Sequence, residues 1–537
     1  MTALNEASLA TSRLGDALGP RSREILAELQ DLRQLDAPTH GGRLLSYVYD
    51  SGRAELDALA GAAAEVARPL NGLDPTAFPS IAVMEGELVR FMRQALGGAH
   101  RRLFDDGPVV GSVTSGGTES CLLAAKTARD LWLARQRPNH ATTSSSPRTP
   151  VTPRIVAPES VHAAFRKATL AFGLQFDGVP CQPEGSVAAA DIIARLGPDV
   201  ALVVVSAPAY PSGYVDPIAE VAAAARARGI SCHVDACFGG LVLPWWPGLP
   251  SWDFRVPGVT SMSADLHKFG YAPKGVSVLL HRGRRRHRAQ FFATTSWPGY
   301  PVVNPTLLGS RSASPLAAAW AITKRLGDRG FAELTASCVR SVDAITGAVA
   351  GITGLRVWGS PTGPAIALIA DSALQPSDQV DPHHLADEMT RLGYRVQHQP
   401  GFTQANGVRL PHSVHFTVTP VTEGTLTGLI SAMRRAADSV RGRPAANPKI
   451  ELALLRLLGY GSPSSAARAA IPAGQTRPAY TGRVPSPGMA WAILRVAGAG
   501  GSSLPGKMAP LMALVERLPA PVAEALLTEL LARVSEP

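Results

Sequence analysis

The chain has 537 residues, 45% hydrophobic and 18% charged, with five dispersed cysteines and a formal net charge of +10. This excludes a collagenous, disordered or disulfide-stapled protein, and the length leaves room for two or three domains, each with its own apolar interior. No apolar run is long enough for a bilayer and the opening "MTALNEASLATSRLGDALGPRSRE" lacks a signal-peptide core, so the expectation is a cytoplasmic protein without a transmembrane segment.

Residues 1–100 read as a mostly helical N-terminal segment. "LDALAGAAAEVARPL" and "EGELVRFMRQAL" have apolar residues at helical spacing, separated by the turn-forming "NGLDPTAFPS". Over 101–315 short β-branched runs alternate with helical segments. "RIVAPE", "DVALVVVSAP", "ISCHVDA" and "GVSVLL" are the strand candidates, and "ESCLLAAKTARDLWLARQ", "HAAFRKATLAFG" and "IAEVAAAARARG" the helices. The alternation predicts an α/β fold whose large domain holds a mostly parallel sheet buried on both faces. The Pro/Ser/Thr-rich "PNHATTSSSPRTPVTP" (138–153) reads as an exposed insertion. "HRGRRRHR" (281–288) reads as a solvated turn after a strand, and no nucleic-acid motif accompanies it, so no nucleic-acid partner is expected. Residues 316–441, with strands "GPAIALIA", "YRVQHQ" and "HSVHFTVTP", predict a smaller C-terminal α/β domain. A linker-like "RGRPAANPK" leads to a helical extension, 449–537, ending in two amphipathic helices split by "LPAP".

The chemistry lies in the large domain. "VTSGGTES" puts Gly117 and Thr118 at the mouth of a helix, where backbone N–H groups face an anion. No Walker-type Gly-Lys-Ser/Thr follows, which disfavours a nucleoside triphosphate. His162 starts another helix, and Asp235 in "HVDACFGG" ends an apolar strand, where ligand sites of such sheets gather. Lys268 follows the strand-like "GVTSMSAD". Singly, these residues have plain structural explanations: a tight turn, a cap, a surface charge. In this order they suit pyridoxal 5'-phosphate. Gly117 and Thr118 would hold its phosphate, His162 would stack on its ring, Asp235 would keep its ring nitrogen protonated, and Lys268 would be its Schiff-base amine. There is no CxxC pair to suggest structural zinc, and no metal site is expected.

The segments "LLSYVYDSG", "NGLDPTAFP", "VTSGGTES", "APESVHAAFRKA", "SAPAYPSGYVDPI", "HVDACFGG", "DFRVPGVTSMSADLHKFGYAPKG" and "LLGSRSASPLAAAW" carry a family resemblance, over residues 43–435. The chain resembles the sphingosine-1-phosphate lyases, within the pyridoxal-phosphate decarboxylases and lyases of the aspartate-aminotransferase fold (fold type I). The resemblance implies a lyase that cleaves a phosphorylated long-chain base to a fatty aldehyde and phosphoethanolamine, the alternative being an amino-acid decarboxylase. It implies His267 beside Lys268, Lys274 as a ligand of the substrate phosphate, Tyr49 as an active-site tyrosine and Ser206 lining the ring. It further implies a homodimer with shared active sites, in which Gly309 and Ser310 reach the other subunit's cofactor phosphate. The chain departs from the family pattern at Asp74, where a histidine is usual, at Ser312 and Ala313, and at Arg409. Arg409 is a substrate-carboxylate ligand or a surface arginine.

Overall fold

The computed structural model describes residues 19–99, 107–136, 151–460, 482–496, 498 and 506–536, so most of the insertion expected at 138–153 lies outside the described residues. Three helices come first: α1 (Pro20–Leu32), α2 (Ala54–Ala67) and α3 (Pro79–Ala95). α2 buries Leu56, Ala60 and Ala67, and α3 buries Ile81, Leu88 and Met92, each a stripe at helical spacing. No residue of α1 is buried.

Seven strands follow: β1 (Val109–Thr114), β2 (Arg154–Pro158), β3 (Gln175–Val179), β4 (Val200–Ser206), β5 (Ser231–Asp235), β6 (Ser261–Ala264) and β7 (Ser277–Arg282). They form one sheet in the order β1-β7-β6-β5-β4-β2-β3. β2 to β6 pair in parallel, and β7 inserts antiparallel between β1 and β6. Helices α4 (Gly117–Gln136), α5 (Ala164–Phe172) and α6 (Ile218–Ala227) lie between strands in the chain, where the sequence predicts them. Every residue of β4 and β5 is buried, which explains why "VALVVVS" shows no polar alternation.

The basic run at 281–288 is not a solvated turn. After Gly283, at φ +89°, residues Arg284–Gln290 form a short helix, α7. Buried Arg282 donates to the carbonyls of Val259 (2.9 Å) and Phe254 (2.6 Å). Arg286 donates to Ser231 Oγ at 2.9 Å, and His287 Nε2 lies 2.8 Å from Ser112 Oγ. Arg282, Arg286 and His287 thus dock the run onto the sheet, while Arg284, Arg285 and Arg288 face solvent as the sequence leads us to expect.

A long helical segment, α8 (Ser314–Ala350), breaks at Gly327, whose φ of +54° only glycine adopts freely. It packs on α2 and α3 and leads into a four-stranded antiparallel sheet. The strands are β8 (Leu355–Val357), β9 (Ala365–Ala370), β10 (Gln397–Gln399) and β11 (Ser413–Thr417), in the order β8-β9-β11-β10. Helices α9 (Pro382–Arg391) and α10 (Leu426–Val440) share its apolar core.

The extension contributes α11 (Lys449–Leu457), α12 (Pro487–Val496), α13 (Ala509–Val515) and α14 (Ala520–Ser535). The break between α13 and α14 falls at "LPAP", and the helices enclose a cluster of their own around Leu455, Ile493, Leu494, Leu514 and Leu526. Asp387 of α9 accepts the N–H groups of Met508 (2.8 Å) and Ala509 (3.1 Å), capping α13 from the neighbouring domain. Among the described residues no helix is long and apolar enough to cross a membrane.

Candidate active site

The candidate ligand-binding residues gather where the parallel strands end. Asp235 closes β5, and the register places Ser206 and Ser263 beside it on β4 and β6. Asp235 Oδ1 accepts the N–H of Cys237 at 3.1 Å and the hydroxyl of Ser263 at 3.3 Å. Among the described residues its Oδ2 has only the Cys121 thiol, at 3.8 Å. Two residues back on the strand, His233 lies within 2.9 Å of Ser261 Oγ and 3.1 Å of Ser263 Oγ. Burial pulls its pKa down to about 4, so it stays neutral and does not compete for the Asp235 charge.

β1 turns through Ser115 and Gly116 into α4. Glu119 fixes this turn: Oε2 accepts the N–H (2.6 Å) and hydroxyl (2.8 Å) of Ser115, while Oε1 accepts the N–H of Leu307 at 2.6 Å. The first-turn N–H groups, with Thr118 beside them, form an anion cradle at the positive end of the helix dipole. A Cβ on Gly117 would sit 2.6 Å from Asp265 Oδ2 and 2.9 Å from Cys237 Sγ, so the approach requires glycine.

Facing the cradle is the loop between β6 and β7. Lys268 Nζ lies 3.0 Å from Asp265 Oδ2, and the Asp265 side chain is 1% exposed. Burial alone would lower the amine and raise the acid. Their attraction outweighs it, raising Lys268 well above the ordinary lysine value and holding Asp265 well below the usual carboxylate range. His267 Nδ1 accepts the N–H groups of Gly275 (3.3 Å) and Val276 (3.2 Å), so its proton is on Nε2, 3.4 Å from Asp265 Oδ2. Lys274 donates to the His267 carbonyl at 2.9 Å, and its Nζ lies 4.6 Å over the centroid of the Tyr49 ring. Tyr49 stands edge-on to Phe269 (5.2 Å) and Phe238 (6.1 Å), and burial raises its pKa so that the phenol keeps its proton.

One cavity of about 870 Å³ collects Tyr49, Gly117, Thr118, His162, Ser206, Asp235, His267, Lys268 and Lys274. His162 Nδ1 accepts the N–H of Ala164 at 3.2 Å, which anchors the ring at the start of α5. Gly309 and Ser310 do not line this cavity; Ser310 Oγ accepts from Asn71 Nδ2 at 3.3 Å in an exposed loop. Asp74 is also outside it, exposed and accepting from Thr76 N (2.8 Å) and Oγ (2.6 Å). Arg409 does not line it either: its Nη2 pairs with Glu516 of the extension at 2.6 Å. Sequence reasoning missed Asp265, whose signal was its place three residues before Lys268. It also missed Tyr210 and Phe238, which line the cavity with ring centroids 5.6 Å apart.

The profile of the pyridoxal-dependent decarboxylase conserved domain matches residues 48–351, more than half of the chain, and that of the C-terminal HTH domain of pyridoxal-dependent enzymes matches 453–533. Sphingosine-1-phosphate lyase of Dictyostelium discoideum is 32% identical over 80% of this chain and 75% of its own length. Sphingosine-1-phosphate lyase 1 of Rattus norvegicus is 34% identical over 75% of this chain, which spans 66% of the rat protein. Among solved structures, sphingosine-1-phosphate lyase of Burkholderia pseudomallei superposes with a TM-score of 0.70 at 31% identity, covering 82% of this chain and 94% of that one. Glutamate decarboxylase of Lactobacillus brevis, at 18% identity and a TM-score of 0.67, shares the fold.

The residues fit pyridoxal 5'-phosphate. Asp235 Oδ2, with only a weak thiol donor, has acceptor capacity for a protonated ring nitrogen. Asp265 Oδ1 is buried without a hydrogen-bond partner beside the amine that would attach the aldehyde. The Gly117 approach suits a phosphate on the α4 cradle. Fold, cavity and sequence profile agree: the chain belongs to the pyridoxal-dependent decarboxylase family, as an enzyme whose cofactor is pyridoxal 5'-phosphate.

Proposed function

We propose that the protein is a carbon–carbon lyase that cleaves a phosphorylated long-chain base into a fatty aldehyde and phosphoethanolamine. The observation that carries this reading is the second amine, Lys274, held over Tyr49 beside Lys268 in the shared cavity. Arg409, the residue that could have bound a substrate carboxylate, lies outside the cavity and is turned to Glu516. The sphingosine-1-phosphate lyases among the relatives support the same substrate class.

Bound pyridoxal phosphate supplies an electron sink for the pair released when the substrate's Cα–Cβ bond breaks. The chain's own residues prepare that event. Asp235 holds the charge that keeps a ring nitrogen protonated. Lys268 is the attaching amine, kept in place by Asp265. Lys274 has two N–H groups left after its bond to the His267 carbonyl, and these suit the oxygens of a substrate phosphate. Tyr49, with its phenol kept protonated, donates a hydrogen bond and orients the substrate head. Phe238, Phe402 and Leu410 give the cavity an apolar side for a hydrocarbon chain. The test offers cofactor-loaded protein a long-chain base phosphate and, separately, a panel of amino acids. Fatty aldehyde with phosphoethanolamine is expected; carbon dioxide without aldehyde overturns the proposal.

The working unit we infer is a homodimer in a reducing cytoplasm. Supporting the first, Ile25, Leu26, Leu29 and Leu32 form an exposed apolar stripe on α1, and Trp297, Tyr300 and Val303 are exposed near Gly309 and Ser310. Supporting the second, all five cysteines are free thiols. Light scattering on purified protein should give twice the chain mass, and a monomer refutes the shared-site reading. Cell fractionation should place the chain with cytosolic markers, and recovery outside that fraction refutes the compartment.

A further inference from the structure

Far from the cofactor chemistry, at the seam between the small domain and the C-terminal extension, three histidines and three carboxylates crowd together. We propose that His383, His412 and Glu516 form a zinc-class divalent-cation site that fastens α13 to the small domain.

Hydrogen bonds around the cluster fix where its protons are. Asp381 Oδ1 accepts the backbone N–H groups of His383 (3.1 Å) and His384 (3.0 Å) at the start of α9, and its Oδ2 lies 2.8 Å from His412 Nε2. An ionised carboxylate only accepts, so the His412 proton is on Nε2. Its Nδ1 lone pair is left 3.9 Å from Glu516 Oε2. By the same rule the His383 proton is on Nε2, 2.8 Å from Glu516 Oε1. His383 Nδ1 then accepts from His398 Nδ1 at 3.3 Å, and a cation that displaced the Nε2 proton would reverse this bond. His398 would then carry its own proton on Nε2, 3.6 Å from Asp387 Oδ1.

Two imidazole nitrogens, His383 Nε2 and His412 Nδ1, thus converge on one carboxylate, with the His383 and Glu516 side chains only 3% and 4% exposed. A divalent cation that takes the place of the His383 Nε2 proton turns all three groups into ligands. The three ligand atoms lie within 4.8 Å of one another, a span that closes around an ion at metal–nitrogen distances of about 2.0–2.1 Å. Two imidazoles with one carboxylate suit zinc better than calcium or magnesium, and a fourth position remains for water. Behind the ligands, Asp381 on His412 and His398 on His383 supply the outer hydrogen bonds that orient metal-bound imidazoles. Arg409 takes Glu516 Oε2, so Oε1 is the oxygen left for the ion. His398, Leu410, Pro411 and Ser413 also line the active-site cavity, so the bound ion would brace a cavity wall as well as the extension.

The test uses tag-free, full-length, cofactor-loaded protein, stripped with chelator and titrated with zinc against a chromophoric chelator. The expected result is one zinc per chain, with zinc-edge absorption showing two imidazole nitrogens. The near-isosteric Glu516→Gln and His412→Gln variants should each weaken zinc binding by about tenfold or more, while retained cofactor absorbance reports an intact fold. His40→Gln, at an exposed histidine, should bind zinc like the wild type. A wild-type chain that takes up no zinc, holding a proton between His383 and Glu516 instead, overturns the proposal. Uptake that both cluster variants leave unchanged overturns it too.

Discussion

Replacing Lys274 by methionine keeps a similar stem and removes the charge proposed to hold the substrate phosphate. One charge-assisted hydrogen bond contributes about 1.5–3 kcal/mol. Lys274 is solvent-exposed, so the lower figure applies, and about 1.5 kcal/mol is about a tenfold loss in kcat/KM. The pH dependence sharpens the test. Although Lys274 keeps solvent contact, the cavity around it strips away part of its water, and this first, with repulsion from Lys268 second, pulls its pKa down to about 8. The anchor is therefore cationic below that pH and neutral above it. Because kcat/KM reports the free enzyme, it should fall through about pH 8 for a phosphorylated long-chain base. Lys274→Arg, whose guanidinium stays charged throughout, should flatten that limb. The assay is kcat/KM from neutral to alkaline pH, on substrate with and without its phosphate. Two results refute the reasoning: an equal loss in Lys274→Met on the phosphate-free substrate, or an alkaline limb that persists in Lys274→Arg.

Lys268→Ala should abolish hydride-trappable attachment of pyridoxal phosphate, read by the mass of the reduced protein; a trapped adduct elsewhere refutes the assignment. Asp265→Asn leaves the Lys268 charge buried without its partner and should cost the cofactor-free protein about 3–5 kcal/mol by chemical denaturation at neutral pH. Because the Asp265 pKa is depressed, this contribution is present above about pH 4, the unfolded carboxylate value, and is lost as pH falls toward the folded one, so the variant's deficit should shrink in acid. Gly117→Ala forces a Cβ to within 2.6 Å of a buried carboxylate oxygen, and should cost about 1–3 kcal/mol of stability and weaken cofactor retention on gel filtration. Unchanged retention would show that the cradle tolerates a side chain.

What the sequence disclosed followed from burial. "VALVVVS" and "SCHVD" read as strands because both faces of those strands are covered, leaving hydrophobic runs bounded by turns. Asp235 and Lys268 stood out because each follows such a run. Asp265 did not, because an aspartate three residues before a lysine also describes countless surface pairs; its 1% side-chain exposure is what sets it apart. The 284–290 helix was obscured by its arginines: Arg284, Arg285 and Arg288 do face solvent, while Arg286 turns to Ser231, and Arg282 just before the helix to Val259 and Phe254. Arg409 and Glu516 are 107 positions apart, and no local pattern announces their meeting.

The reversed strand β7 has a mechanical consequence. Val278 is bonded in register to both Val113 of β1 and Ala264 of β6. The strand leading into the glycine cradle and the one leading into the Lys268 loop are therefore stitched to the same ribbon. Motion of that ribbon should carry both candidate grips of the cofactor together. The opposite wall, residues 397–413, hangs from a separate sheet and can breathe against this pair. Admission of a long greasy chain can thus be regulated by one body while the reacting head stays clamped in the other.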